Sequence, residues 1–434
     1  MARHNRTPAP HQLAAWFRAH TTTLTTLEPH DDLDDLAPLR DIVGAARVVA
    51  VGEGAHFVTE FSRARQRVVR FLAERCGFTV LAFEFGFSEG FALDAWLRGE
   101  GADDGLAEVS RAAAEWGAGG FLHWLRHHNR TGRHPLRFAG LDLPEAGGAL
   151  RPALDPLRDY LAEIAPDALP LLDTALEISD RFLAGIGSGA AAAPAWARLA
   201  PAEQDALTAA LARLLLRLRA EEPRYASRGG QERYDVARRR LEAACHTDAL
   251  FRAVHALQSG RADAGDLAIR ESFLAESVHW HLARSAPGTR LVVVAHNNHI
   301  QKTRIDFGGP LTTLPMGHHL ARRLGSDYRA VAVTHTADHV PEMVLDPRRT
   351  VGFTVADTPL APPEPGSVEA ALIDAGLGDR ITLTDLRRPP RDPDGEPLPN
   401  RIRSQSATLA TPVPAAFDAV LATSTVTRDP SVPF

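Results

Sequence analysis

Apolar residues are distributed along this chain in two ways. Four short segments, Arg47–Val51, Thr79–Glu84, Leu136–Leu141 and Leu291–Ala295, are nearly continuous apolar runs rich in β-branched or aromatic residues. Such runs predict strands of a parallel sheet that is covered on both faces. Between them the period changes to that of a helix. Over Thr59–Cys76, residues Phe61, Val68, Val69, Phe71 and Leu72 fall largely on one side, and Gly77 follows as a C-cap. Phe91–Arg98 and Gly120–His128 are shorter helical stretches, Ile269–Arg284 is an amphipathic helix, and Gly317–Leu324 is helical. Tyr328–Thr334 predicts a further strand, with weaker strand signals at Arg380–Leu386 and Phe417–Thr423. The Pro-, Arg- and Asp-dense stretch Arg387–Pro399 predicts a loop.

The middle of the chain is different. From Arg151 to Leu257 it is rich in Ala, Leu, Arg and Glu with almost no strand signal, and Leu207–Arg219 and Arg233–Leu257 are strongly helical. The stretch Gly185–Pro194 predicts a linker that divides this region. The expected fold class is therefore α/β, a three-layer sandwich with a mainly parallel sheet and a largely helical insertion. Residues 1–150 form the first part of the α/β core, 151–265 the insertion over the substrate region, and 266–434 the second part. Trp196 and Arg233–Arg240 are expected to roof the cleft. No internal repeat is visible.

Composition narrows the function classes. The 434 residues are 44% hydrophobic and 24% charged, as in ordinary globular proteins. A net charge of -6 argues against nucleic acid as the main partner, because phosphate binding calls for a basic face. The two cysteines, Cys76 and Cys245, lie in helical segments without a CxxC neighbour and read as buried free thiols. Met1–Leu13 is polar, without the apolar region of a secretory signal. No apolar run reaches the roughly 18 residues of a membrane span. The expected location is the cytoplasm, with no membrane partner. The basic residues are 47 arginines and a single lysine, Lys302. The oligomeric state is not legible.

In parallel sheets, ligands bind beyond the carboxyl ends of the strands. The first strand is followed by Gly52-Glu53-Gly54-Ala55-His56, the second ends in Glu84, the third leads to Asp142, and the fourth to His296-Asn297-Asn298-His299. Four strands thus deliver titratable groups to one edge. A carboxylate between two aromatics, as in Phe83-Glu84-Phe85, calls for a partner if it is buried. These groups suit general-base hydrolysis of an ester. His56 would take the proton of the attacking water, and Glu53 or Glu84 would orient its ring. His296, His299, Lys302 or Arg65 would hold the oxyanion. Two alternatives stand beside this reading. Gly86-Phe87-Ser88-Glu89-Gly90 matches the GxSxG pattern of a nucleophilic serine, after a strand and before a helix. His296 and His299 in a loop, with Glu53, Glu84 and His56, form a possible zinc or iron set.

A run of ordered motifs resolves part of this choice. His30-Asp-Asp32, Leu36-Ala-Pro-Leu-Arg40, Val51-Gly-Glu-Gly-Ala-His-Phe57, Phe83-Glu-Phe-Gly-Phe-Ser-Glu-Gly90 and Gly140-Leu-Asp-Leu-Pro144 come first. Ala275-Glu-Ser-Val-His-Trp-His281, Val292-Val-Val-Ala-His-Asn-Asn-His-Ile-Gln-Lys-Thr303, Leu314-Pro-Met-Gly317, Gly366-Ser-Val-Glu369 and Phe417-Asp418 follow. In these the chain resembles the erythromycin esterases, most closely the type II branch, over nearly its whole length. The resemblance implies hydrolysis of a macrolide lactone ester without metal or cofactor, inactivating the antibiotic. It implies a histidine base at the position of His56, essential contributions at Glu53, Glu84, His296 and His299, and interest in Arg65. It implies no nucleophilic serine. The chain departs from the pattern at Gly54-Ala55, where a more polar pair is expected, at Asn298 and His318-His319, and over Gln405–Pro414. These departures bear on the substrate: another ester, or a cyclisation in secondary metabolism, is the alternative to a macrolide.

Overall fold

The apolar runs become the centre of one sheet. The computed structural model describes residues 10–261, 268–306, 312–391, 395 and 397–433. The expected boundary at 265 and residues 1–9 of the polar N-terminus lie outside them. The sheet strands are β1 (Thr21–Leu24), β2 (Val48–Val51), β3 (Val80–Gly86), β4 (Arg137–Asp142), β5 (Leu291–Val294), β6 (Tyr328–His335), β7 (Ile381–Asp385) and β8 (Ala419–Thr423). Their order across the sheet is β1-β7-β8-β6-β2-β5-β3-β4. From β8 to β4 every pairing is parallel, and only β7 runs against its neighbours. The fold is the mainly parallel α/β sandwich expected.

Alternation along each strand separates two cores. Val49, Val51, Leu81, Val292 and Val294 face one way, against the helix Thr59–Cys76. Val48, Ala50, Ala82 and Val293 face the other, against the helices Ala268–Arg284 and Met316–Leu324. Each fully buried valine contributes on the order of 1.5–3 kcal/mol relative to an exposed one. The helix Thr59–Cys76 ends as the sequence implies, at Gly77 with φ 73° in the left-handed region.

The helices between Arg151 and Gln258 have a hydrophobic cluster of their own, including Leu154, Leu161, Leu211, Tyr225, Tyr234 and Leu241. Gly185–Pro194 is not wholly a linker. Ser188 caps a helix over Gly189–Trp196, accepting a hydrogen bond from the Ala191 amide, so alanine propensity prevails over the glycines there. The edge strand β1 and the antiparallel ribbons His339–Leu345/Phe353–Pro359 and Arg401–Ser404/Ala407–Ala410 were not expected. Cys76 and Cys245 are free but only partly buried. Among the described residues, no helix is long and apolar enough to cross a membrane.

Candidate active site

Register explains why the strand ends converge. In the neighbouring strands β2, β5 and β3, Val51 is level with Val294, and Val294 with Phe83. Residues just beyond them emerge side by side. The ladder between β3 and β4 is irregular between Phe83 and Gly86, which leaves Glu84 in a bulge, a feature that re-aims side chains at strand ends. Asn297 ties the edge together. Its amide donates to the Glu53 carbonyl (2.8 Å), its Nδ2 donates to the Val333 carbonyl (2.8 Å), and its Oδ1 accepts from the Val333 amide (3.2 Å). Gly52 makes this packing possible, because a Cβ there would lie 1.9 Å from Asn297 Oδ1.

On one side of the site, Glu53 bridges two cations or potential cations. Its Oε1 is 2.8 Å from His56 Nδ1 and its Oε2 2.8 Å from Arg65 Nη2, the latter on the helix Thr59–Cys76. Burial pushes the Glu53 carboxyl up, but Arg65 and His56 outweigh it and the net shift is downward. The His56 side chain remains 30% exposed, so one nitrogen is tied and the ring edge opens on solvent.

The other side is a closed ion-pair network. Glu84 Oε2 accepts from the His296 amide (2.8 Å), and Oε1 takes Arg270 Nη2 (3.0 Å) and His299 Nε2 (3.1 Å). His299 Nδ1 is 2.6 Å from Glu271 Oε1, and Glu271 Oε2 accepts from the Met316 amide. Arg270 also grips Asp142, which is fully buried. Burial pushes Glu84 up, yet His299 and Arg270 hold it well below the carboxylate range. Burial lowers the His299 ring, but Glu271 and Glu84 together raise it to about 10, so it is an imidazolium at neutral pH. His296 goes the other way. Burial and the neighbouring His56 lower it to about 3, so it is neutral. Its Nδ1 accepts from the Asn298 amide (3.1 Å), which places the ring hydrogen on Nε2. That nitrogen has no hydrogen-bond partner among the described residues, and the ring lies 4.8 Å from that of His56, centroid to centroid.

Both halves face a cleft of about 670 Å³, lined by Glu53, His56, Arg65, Glu84, Arg270, Glu271 and His299 at its floor. Its walls are apolar: Phe57, Phe83, Phe85 and Trp116 from the first part of the chain, Leu250 and Val254 from the insertion, and Met343, Leu345 and Phe353 from the ribbon.

The predicted residues fall into groups. Glu53, His56, Glu84, His299 and Arg65 meet in the cleft, His296 lies beside them, and Asp142 acts through Arg270. Lys302 is not brought there: its ammonium pairs with Asp418 (3.0 Å), because the chain turns away after the one-turn helix Asn297–Ile300. That helix also corrects the expected loop, with His296 as its N-cap. Ser88 has the strand-to-helix setting of GxSxG, but it is 5% exposed, donates to the Pro152 carbonyl (2.5 Å) and accepts from Arg240 Nε (3.0 Å). A base would have to displace those partners. Among the described residues, no group of three or more His, Cys, Asp or Glu is placed to hold a metal ion. Trp196 is 3% exposed inside the insertion's own cluster and Arg233 pairs with Glu163, so neither roofs the cleft. Ser188, Gly189, Ala190, Leu250 and Val254 do. Arg270, Glu271 and Asn297 went unrecognised as site residues in the sequence. Adjacent opposite charges at the start of an amphipathic helix were the available signal for the first two.

Comparison with known proteins agrees with this architecture. The family described as erythromycin esterase matches residues 73–426. The erythromycin esterase type II of Escherichia coli is 34% identical over 407 residues, 93% of this chain and 96% of that protein. The type I enzyme of Escherichia coli is 33% identical over 418 residues, 94% and 98% respectively. A solved mutant of the erythromycin esterase EreC in its open conformation superimposes with a TM-score of 0.87 at 31% identity, covering 95% of this chain and 99% of that one. The family match spans well over half the sequence and the relatives align nearly end to end, so the chain belongs to the erythromycin esterase family.

Proposed function

We propose that this protein is a carboxylic ester hydrolase that opens the lactone of a macrolide antibiotic, inactivating it, with His56 as the base that activates water. The observation that carries this reading is the His56 imidazole, tied at Nδ1 to a buried carboxylate and exposed to a large, mostly apolar cleft. Membership of the esterase family and the two Escherichia coli relatives support the substrate class.

The chemistry proceeds in two steps. Water attacks the ester carbonyl as His56 Nε2 takes its proton, a contribution of roughly 10²- to 10⁴-fold. Glu53, held by Arg65, stabilises the imidazolium that forms. The developing oxyanion is met by the positive field of Arg65, which lines the cleft. His299 has both nitrogens engaged by carboxylates, so it acts through charge and by holding Glu84 and Glu271. The intermediate then collapses, and the imidazolium returns its proton to the departing alkoxide. The product is a single ring-opened hydroxy acid, one water having been consumed. No step needs a metal or a cofactor.

The test is incubation with macrolides of different ring size, followed by mass spectrometry. The expected result is a gain of one water with loss of antibacterial activity. No turnover across the panel would remove the substrate assignment, and turnover of another substrate without water incorporation would point to cyclisation.

A further inference from the structure

Gly54-Ala55 and the segment starting at Gln405, two stretches the sequence reading set apart from the resembled pattern, meet in space. Gln405 sits at the turn between the paired strands Arg401–Ser404 and Ala407–Ala410, with φ 53°, in the left-handed region that a side chain rarely adopts. Its amide donates to the Gly54 carbonyl (2.6 Å), and its side-chain Oε1 accepts from the His56 amide (2.7 Å). The turn therefore holds the loop that carries His56 at two points. Gly54 lets the loop lie close against the strand Tyr328–His335, since a Cβ there would lie 2.8 Å from the Val333 carbonyl. Phe57, next to His56, also has a left-handed backbone (φ 63°). Strained conformations at both positions persist only where the surroundings hold them.

The other end of the same side chain reaches the substrate wall. Gln405 Nε2 donates to Glu342 Oε1 (3.1 Å), and the Ser406 amide donates to Glu342 Oε2 (2.8 Å). Glu342 lines the cleft beside Met343 and Leu345. The amide orientation is set by both partners at once, an N–H on one side and a carboxylate on the other. Burial pushes the Glu342 carboxyl up, and the hydrogen bonds from Ser406 and Gln405 more than offset it.

We propose that Gln405 is a positioning residue: its side chain orients His56 through the loop amide and couples that orientation to the substrate wall through Glu342. This rests on His56 as the base. Gln405→Gly relaxes the backbone while deleting the side chain, and Gln405→Ala deletes it without relaxing the backbone. Both are expected to lower kcat by about 10- to 100-fold, the scale of a small misplacement of a reacting group. The acidic limb of the pH profile should move with them. Gln405→Glu keeps an acceptor for the His56 amide, but sets a like charge against Glu342. It should keep most of kcat and raise KM. A parent-like kcat and pH limb in the Gly variant would overturn the proposal, as would a Glu variant that loses kcat as fully as Gly does. Histidine ¹⁵N NMR supplies a readout independent of substrate. The His56 ring nitrogen chemical shifts at fixed pH should change in Gln405→Gly, and unchanged shifts would overturn the positioning role. If the parent turns over no ester, the functional reading falls while the NMR arm still decides this one.

Discussion

The loop Glu53–His56 and the turn His296–His299 both bring imidazoles to the carboxyl edge of the sheet, but they complete them differently. His56 has one carboxylate partner and an exposed ring edge, which leaves one ring nitrogen open to the cleft. His299 is gripped by Glu84 and Glu271 at both nitrogens and stays charged. The difference teaches that the number of carboxylates on a ring, more than its burial alone, decides whether it is held as a fixed cation or left open for the base role proposed above. His296 makes the same point from the other side: burial and the neighbouring His56 lower it, and with no carboxylate bonded to its ring nitrogens to offset them it stays neutral.

The comparison breaks first at His56. His56→Ala should lower kcat by roughly 10²- to 10⁴-fold while thermal melting stays close to the parent, because only one side of the ring is bonded. Retained turnover would move the base elsewhere.

Glu271→Gln probes the second ring and should cost about 3–5 kcal/mol, the usual penalty for leaving a buried ion pair without one partner. It also has a pH signature. The folded-state value of His299 is raised from 6.5 to about 10, so its stabilisation is complete below about pH 6.5 and is lost as pH rises through about 10. Melting temperature followed between these limits should fall in the parent and fall less in Glu271→Gln. Equal slopes would mean that His299 is not the group responsible.

Smaller effects are expected where the sequence placed reactive groups that bond elsewhere. Lys302→Ala leaves Asp418, 6% exposed, without its ammonium and should cost about 1–3 kcal/mol with turnover unchanged. Ser88→Ala removes a hydroxyl that bonds Pro152 and Arg240 and should cost about 1 kcal/mol, with activity kept and no labelling of the parent by a fluorophosphonate. A labelled Ser88 would restore the serine mechanism.

Much of this was legible because parallel strands covered on both faces are continuous apolar runs, and their ends are easily found. Glu53, His56, Glu84 and His296 could be grouped on that basis alone. The strand Thr21–Leu24 escaped because threonines at a half-exposed edge carry no apolar run. Arg270 and Glu271 escaped because an acid in the first turn of a helix usually answers the helix dipole, and nothing local shows that this one faces a histidine 28 residues away. Gln405 acts on His56 across 349 residues of chain, a contact that only folding makes.

The roof of the cleft has a further consequence. Gly187 and Ser188, at the start of the insertion helix Gly189–Trp196, bond the carbonyls of Thr350 and Val351 in the ribbon loop, at 2.9 Å and 2.6 Å. Two segments far apart in sequence are thereby sewn into one rim, while the histidine-bearing floor is anchored to the sheet. A substitution at this rim therefore alters the apolar walls of the cleft first, and Glu342, on the same ribbon, is the point through which such a change would reach His56.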